Sequence, residues 1–490
     1  MRMGRWSLAV LAGLLIAAPA AHAQSGGTVR VQLLAFNDFH GNLEPPSGSA
    51  GEIDDTEAGG VANLATHIKR LEATNPRRTL VVTAGDLIGA SPLVSALFHD
   101  EPTIEAMNRL GLDVTAVGNH EFDEGSRELL RMQRGGCHPD DGCVGDDGFR
   151  GADFRFLSSN VRRASTGRTL FPPFAIRRVA GVRVAFVGVT LEGTPQIVTP
   201  SGVAGLRFGD EAAAINRLVP RLRRRGVQTI VALVHEGGFP TGGYNACPGI
   251  SGPITDIVSR TSREVDLFIT GHTHQAYNCV LDARRVTSAA SFGRLITDVD
   301  LRIDRSTGET RSVRARNRIV TRRVGDDRAE TRLVRRYVRM ARPVANRVIG
   351  RTAAPITRDA TPAGESALGD VIADGQLAAT SGSGVGGAQI ALMNPGGIRA
   401  DLPAGDVTYN AAFTVQPFGN SLVTMTLTGA QIEQVLEQQV WPTTDDEGTV
   451  LQVSAGFRYS WSAARPAGDR VDPASISLSG VPVPRPGATA

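Results

Sequence analysis

The chain has almost no lysine. Lys69 is the only one among 490 residues, so arginine supplies nearly all of the positive charge. Aromatic residues are scarce as well, at 5%, and there are only four cysteines. Past the first two dozen residues, no apolar run reaches the length that crosses a bilayer. The formal net charge is +3 at pH 7 and falls to +1 without Arg2 and Arg5. A chain this close to neutral carries no global field that draws a nucleic acid polymer or a membrane surface. Its basic runs, Arg221–Arg225 and Arg311–Arg323, read as solvated faces.

The N-terminus has an export pattern. Arg2 and Arg5 precede an apolar stretch from Leu8 to Ala18, and Ala21-His22-Ala23 follows. This predicts a signal peptide over residues 1–23, cut before Gln24, and a periplasmic or secreted protein. In such a compartment Cys137, Cys143, Cys247 and Cys279 are expected to pair, with three connectivities open. Loop placement favours Cys137 with Cys143 and Cys247 with Cys279. A thiolate zinc site is the other reading, although the spacings fit no common finger.

Five strand-like runs dominate what is present. Val29–Phe36 ends in Asn37-Asp38-Phe39-His40-Gly41, and Leu80–Ala84 ends in Gly85-Asp86. Val114–Val117 ends in Gly118-Asn119-His120-Glu121-Phe122-Asp123. Ile230–Val234 ends in His235-Glu236-Gly237-Gly238, and Leu267–Thr270 ends in Gly271-His272-Thr273-His274. A β-branched run followed by glycine and polar side chains is how a sheet exposes its carboxyl edge, where α/β proteins place ligand sites. Gly118 reads as the residue that lets the chain turn sharply. Three further histidines, His67, His99 and His138, fall outside these patterns and read as surface residues.

Imidazole, carboxylate and amide donors without thiol suit Zn²⁺, Mn²⁺, Co²⁺ or Fe. Asp38, His40, Asp86, Asn119, His235, His272 and His274 are too many for one catalytic ion. Two ions sharing a carboxylate use them all, with Asp86 central in sequence to bridge, and such a pair clamps an in-line displacement at phosphorus. His120 is then left to stabilise charge in the transition state, oriented by Asp123.

Around these motifs, amphipathic helical periodicity begins at Val61, and helices are expected at Ser91–Leu97, Pro102–Leu110 and Ala212–Arg225. Arg177–Val189 reads as a hairpin. A first unit spans 28–305, a basic helix broken near Pro343 links over 326–348, and a second unit occupies 349–490. In that second unit, Gly364-Glu365-Ser366 is expected to cap a helix running through Leu377, and another helix spans Gly429–Gln439.

D-x-H, GD, GNHEFD, HEGG and GHTH in this order resemble the calcineurin-like metallophosphoesterases. With Asn394-Pro395-Gly396-Gly397-Ile398-Arg399 and Gln416-Pro417-Phe418-Gly419-Asn420, the chain resembles the secreted 5′-nucleotidase/UDP-sugar hydrolase family. The resemblance implies a four-layer αββα domain and a smaller α+β C-terminal substrate-binding domain. It implies one metal on Asp38, His40, Asp86 and His274, and a second on Asp86, Asn119, His235 and His272. It also implies nucleotide contacts from Asn394, Gly397 and Arg399, a base stacked on Phe418, and hydrolysis of nucleoside 5′-monophosphates, with UDP-sugars or 2′,3′-cyclic nucleotides as further substrates. Alternatives are a non-nucleotide phosphate or sulfur ester as substrate, or a nucleotide-binding protein with structural metals. The chain departs from the family at Thr361-Pro362-Ala363-Gly364, where some relatives carry an arginine. It departs again after Ile476-Ser477-Leu478, where Val481–Pro486 replaces a segment with a second stacking aromatic. A base pocket open on one side is the expectation.

Overall fold

The computed structural model describes residues 27–143, 148–418, 420–439, 441 and 448–484. The expected signal peptide and the end of the tail, Arg485 and Pro486, lie outside the described residues. Two six-stranded sheets organise the first half. Their strands are β1 (Thr28–Phe36), β2 (Thr79–Thr83), β3 (Val114–Ala116), β4 (Arg155–Leu157), β5 (Phe174–Val179), β6 (Val182–Thr190), β7 (Thr229–His235), β8 (Leu267–Thr270), β9 (Ala276–Leu281), β10 (Arg284–Ala289), β11 (Leu295–Asp304) and β12 (Thr310–Ile319). One sheet has the order β12-β11-β1-β2-β3-β4 and the other β9-β10-β8-β7-β6-β5. Strands β1 to β4 run parallel, as do β6, β7, β8 and β10.

Alternation along the strands stacks the two sheets. Val29, Val31, Leu33 and Ala35 of β1 pack with Val184, Phe186, Val231 and Leu233 of the second sheet, while Leu34 and Phe36 point into a helical layer. Both faces of the central strands are buried, which is why their sequences are nearly continuous apolar runs. Truncating a ring such as Phe186 between the sheets costs about 3–5 kcal/mol. Helices α1 (Val61–Glu72), α2 (Glu101–Leu110) and α3 (Gly125–Arg134) cover the first sheet, and α4 (Glu211–Arg224) and α5 (Pro253–Arg260) the second. The result is the four-layer αββα architecture.

The sheet does not stop near residue 305. Strand β12 pairs along β11 and becomes its edge. Nor is the basic helix a free linker. Helix α6 (Arg328–Ala345) inserts Leu333, Tyr337 and Ala341 into the core beneath the first sheet, and the Tyr337 hydroxyl donates to Glu105 at 3.0 Å. It is not broken at Pro343, which sits in its last turn and cannot donate a backbone hydrogen bond. Asp327 caps its start by accepting from the backbone N–H of Ala329 and Glu330. The basic runs are largely paired. Arg221 and Arg225 lie over the Phe174 ring, Arg223 pairs with Glu264, Arg311 with Asp304 and Arg318 with Asp298.

The C-terminal lobe is smaller and α+β. Helix α7 (Ala367–Thr380) is capped by the Ser366 hydroxyl, α8 (Tyr409–Val415) by Thr408, and α9 (Gly429–Glu437) by a Thr428–Gln431 capping box. Leu436, Trp441, Val453, Phe457 and Ile476 form part of its own core. Cys137 bonds Cys143 and Cys247 bonds Cys279, so none of the four cysteines offers a thiolate to a metal.

Candidate metal centre and cleft

The parallel strands β1, β2 and β3 of one sheet and β7 and β8 of the other end at the same edge of the sandwich, and all seven candidate donors meet there. Five of them leave their strands in the left-handed region, with φ of 49° at Asp38, 46° at His40, 50° at Asp86, 70° at His272 and 56° at His274. That conformation costs an L-residue about 1–2 kcal/mol, so the surroundings must hold it. They do so through the backbone. Asp38 N donates to Gly85 O at 3.1 Å, His40 N to Asp86 O at 3.0 Å, and His272 N to Asp38 Oδ1 at 3.0 Å. Gly118 is needed for a different reason from the expected turn. Its φ is not positive, but a Cβ there would lie 2.1 Å from Asp86 Oδ1, so glycine is what lets the loops approach.

The donor atoms converge. His40 Nε2 lies 3.1 Å from His274 Nε2 and 3.7 Å from Asp86 Oδ2, and His274 Nε2 is 3.6 Å from Asp38 Oδ1. His235 Nε2 is 3.0 Å from both Asp86 Oδ2 and Asn119 Oδ1, and His272 Nδ1 is 3.0 Å from Asn119 Oδ1. The outer nitrogens of two rings are used to orient them, since His40 Nδ1 donates to Gly89 O at 2.9 Å and His235 Nδ1 to Ala84 O at 2.8 Å.

Burial decides the charge states. It lowers His40 to about 3 and His272 to about 4, and holds His274 well below the usual imidazole range, so these rings are neutral with lone pairs turned inward. Burial also pushes Asp38 up to about 7. At Asp86 burial acts upward, but the His235 and His120 charges outweigh it and keep the carboxylate ionised. Burial acts downward on His235, yet Asp86 beside it raises it to about 10. The carboxylate that draws a proton onto His235 also draws a divalent ion to the neutral ring, since metal binding displaces that proton. Neutral imidazoles, two carboxylates and an amide oxygen within bonding span fit divalent metal ions.

His120 stands beside this shell rather than in it. Its Nδ1 donates to Asp123 Oδ2 at 2.8 Å, and its backbone N donates to Asp86 Oδ1 at 2.9 Å. Burial opposes its protonation, but the Asp123 and Asp86 carboxylates prevail and raise its pKa. The two residues face a cleft of about 1500 Å³, which is also lined by Asn394, Gly397, Arg399 and Phe418 from the C-terminal lobe. The Phe418 ring is 5.9 Å from the His120 ring, and Arg399 Cζ stands 5.2 Å over Phe418.

Four residues here escaped the sequence reading. Glu121 accepts from the backbone N–H of Asp86, Leu87 and Gly118, tying two ligand loops together. Asn37 Nδ2 donates to Asp38 Oδ2 at 2.6 Å. Both lie inside quoted motifs, and their polar type next to a ligand was the available signal. Phe292 packs edge-on to His40 and His274, and nothing in its local sequence marks it. Arg358 donates to Ile398 O at 3.4 Å and so sits beside Arg399, a guanidinium near the place where Thr361–Gly364 lacks one. The reading of His99 and His138 as surface residues is corrected. Their side chains are 16% and 12% exposed and stack on each other. His67 is half-buried, with Nε2 3.1 Å from Thr321 O.

Residues 31–276 match the family described as calcineurin-like phosphoesterase, and residues 348–486 match the 5′-nucleotidase C-terminal domain. The chain is 32% identical to Endonuclease YhcR of Bacillus subtilis over 93% of its own length and 37% of that protein. It is 32% identical to Cell wall protein Lmo0130 of Listeria monocytogenes, over 89% of its length and 58% of that protein. The chain thus spans less than two thirds of either relative. A solved 5′-nucleotidase precursor from Thermus thermophilus superposes with a TM-score of 0.74 at 27% identity, covering 93% of this chain and 87% of that one.

Proposed function

This chain belongs to the calcineurin-like phosphoesterase family of metal-dependent phosphoric ester hydrolases and carries a 5′-nucleotidase C-terminal domain, and from that premise we propose that it releases phosphate from nucleoside 5′-monophosphates. One observation carries the reading. A shell of seven buried or half-buried donors adjoins a hydrogen-bonded His120–Asp123 pair on one wall of a cleft whose other wall presents Arg399 and Phe418.

We assign one divalent ion to Asp38, His40, Asp86 and His274 and another to Asp86, Asn119, His235 and His272, with Zn, Mn, Co or Fe suiting the donors. Support comes from Asp86 Oδ2, which lies within 3.7 Å of His40 Nε2 and 3.0 Å of His235 Nε2 and so faces both groups. When bound, the ions supply Lewis-acid activation of water and of the phosphoryl oxygens. His120, kept protonated by Asp123, donates to the phosphoryl group and its leaving oxygen. Arg399 neutralises the anionic end of the substrate, Asn394 and Gly397 contact the nucleotide, and Phe418 stacks on the base. Glu121 and Asn37 hold Asp86 and Asp38 in place. UDP-sugars and 2′,3′-cyclic nucleotides belong to the same chemistry. Export through the residue 1–23 signal puts the enzyme in the periplasm or medium, and among the described residues no helix is long and apolar enough to cross a membrane.

The test is phosphate release from AMP, GMP, UDP-glucose, 2′,3′-cyclic AMP and a small aryl phosphate, with and without chelator. Chelator-sensitive release from AMP is expected. Binding of AMP without turnover defeats the reading in favour of a nucleotide-binding protein, and turnover of sulfur or non-nucleotide esters alone defeats it in favour of another substrate. A second reading, cleavage of a phosphodiester within a nucleic acid strand, is favoured by the cleft, which exceeds the roughly 300–1,000 Å³ of small-molecule pockets. Similarity to a protein named as an endonuclease points the same way. Adding a single-stranded oligonucleotide to the panel decides between the two.

A further inference from the structure

The catalytic scheme leaves one buried carboxylate without a task. Asp100 stands at the N-cap of α2, buried and with a left-handed φ of 58°. An aspartate there ordinarily accepts from the first amides of its own helix. This one makes no such bond. Its Oδ1 accepts from Ser95 Oγ at 2.5 Å, and its Oδ2 accepts from the backbone N–H of Gly89 at 2.9 Å. Thr103 completes the chain by donating to Ser95 Oγ at 2.6 Å. Burial is costly to a carboxylate and pushes this one up to about 6, so one turned away from its own helix needs another use.

That use lies at Gly89. Its carbonyl accepts from His40 Nδ1 at 2.9 Å, and the N–H of Ala90, on the other side of the same peptide bond, donates to Asp123 Oδ2 at 3.2 Å. One peptide unit therefore touches both a ligand ring and the carboxylate that orients His120. The turn that carries it is strained. Gly89 and Ala90 are both left-handed, with φ of 80° and 47°. A Cβ on Gly89 would lie 2.3 Å from His120 O, so no side chain fits there to brace it. Asp100 instead holds the turn through the Gly89 amide. His99, one residue earlier, donates from Nδ1 to Glu124 Oε2 at 2.7 Å, which ties the same segment to the residue after Asp123.

On the reading of His40 as a ligand and of His120 as the acid, we infer that Asp100 is a positioning residue for both. It fixes the Gly89–Ala90 peptide, and through that peptide the His40 ring and the Asp123 carboxylate. A carbonyl held in line keeps the proton of His40 on Nδ1 and leaves Nε2 bare toward an ion. An amide held in line on Asp123 keeps that carboxylate turned to His120. Loosening the peptide weakens both together. Loss of an outer bond of this kind typically lowers metal affinity or turnover about 10–100-fold.

The experiment compares wild type with Asp100→Gly and Asp100→Asn in the full chain. Glycine removes the carboxylate yet suits the left-handed backbone, so this variant keeps its fold. Asparagine still accepts from Gly89 with its carbonyl and donates to Ser95 with its amide. Zinc affinity is read by competition with a chelator, Tm on metal-free protein, and kcat and KM with AMP and a small aryl phosphate. Asp100→Gly is expected to bind one of its zinc ions about 10–100-fold less tightly and to lose a similar factor in kcat on both esters. Its KM and metal-free Tm should stay close to wild type, and Asp100→Asn should recover most of both losses. Wild-type zinc affinity and kcat in Asp100→Gly overturn the inference, whatever its Tm. An asparagine variant no better than the glycine one overturns it too, because the bond to Gly89 would then not be what counts. Zinc affinity needs no turnover, so a chain that fails to hydrolyse AMP defeats the proposed function and leaves this comparison standing.

Discussion

On one wall of the cleft, seven donors hang from the ends of five strands and are buried or half-buried; on the other, Asn394, Arg399 and Phe418 hang from loops of the smaller lobe, with Asn394 exposed. The first wall is held by backbone hydrogen bonds between ligand loops and by Glu121, which bonds two of them at once. The second rests on the Thr408 helix cap and a separate, smaller core of Leu368, Met393, Ile398 and Val415. Chemistry is thus placed on parts that cannot shift, and recognition on parts that can be altered without disturbing them. Damage to the first wall should remove metal and turnover together, and damage to the second should change which ester is preferred.

The hardest break is Asp86→Asn. It removes the carboxylate that faces both His40 and His235, and is expected to lower kcat/KM by at least about 10³ and to reduce bound metal, measured by phosphate release and elemental analysis. Full activity with metal lost would dissolve the distinction between the walls. His120→Ala comes next, with about 10²–10⁴ lost in kcat and metal content unchanged. Metal loss there would move His120 into the ligand shell. Phe418→Ala tests the other wall. It is expected to raise KM for nucleotides about 10–100-fold, equivalent to the 1–3 kcal/mol of one stacked base, and to leave aryl phosphate hydrolysis almost untouched.

The smallest effect concerns pH. The folded pKa of His120 is raised by Asp123, and the imidazolium is the working form, so its contribution is complete at low pH and lost as pH rises through that raised value. Asp123→Asn withdraws the supporting charge, and the alkaline limb of kcat should move to lower pH. An unmoved limb would show that another group sets it.

Much of the first wall was legible because its signal is local. An apolar run must end somewhere, and Asp, Asn or His beside glycine at five such ends marks one edge of a sheet. The hairpin and the helix cap within Gly364-Glu365-Ser366 follow from equally local chemistry, and the cysteine pairing from which loops carry the thiols. What stayed hidden depends on distant partners. Phe292 lies over 200 residues from His40 in sequence. The stack of His99 on His138 needs the disulfide loop to fold back on α2, and α6 reads as a basic linker helix until Tyr337 is seen beside Phe98. Gly118 was noticed for its freedom to turn, whereas its lack of a side chain opposite Asp86 is what matters. Such contacts are properties of the packing, and periodicity does not encode them.

The left-handed backbone at His40 and His274 sets stability against function. Glycine adopts that conformation without strain, and its extra entropy on unfolding, about 0.5–1 kcal/mol, is smaller than the strain it relieves. His274→Gly should therefore melt higher than wild type when both are stripped of metal, and lower when both are loaded. Selection for a robust fold alone would drive this chain toward glycine at its own ligands. Imidazoles persist there only while something rewards the bound ion, so a thermal screen run in chelator would enrich for inactive enzyme.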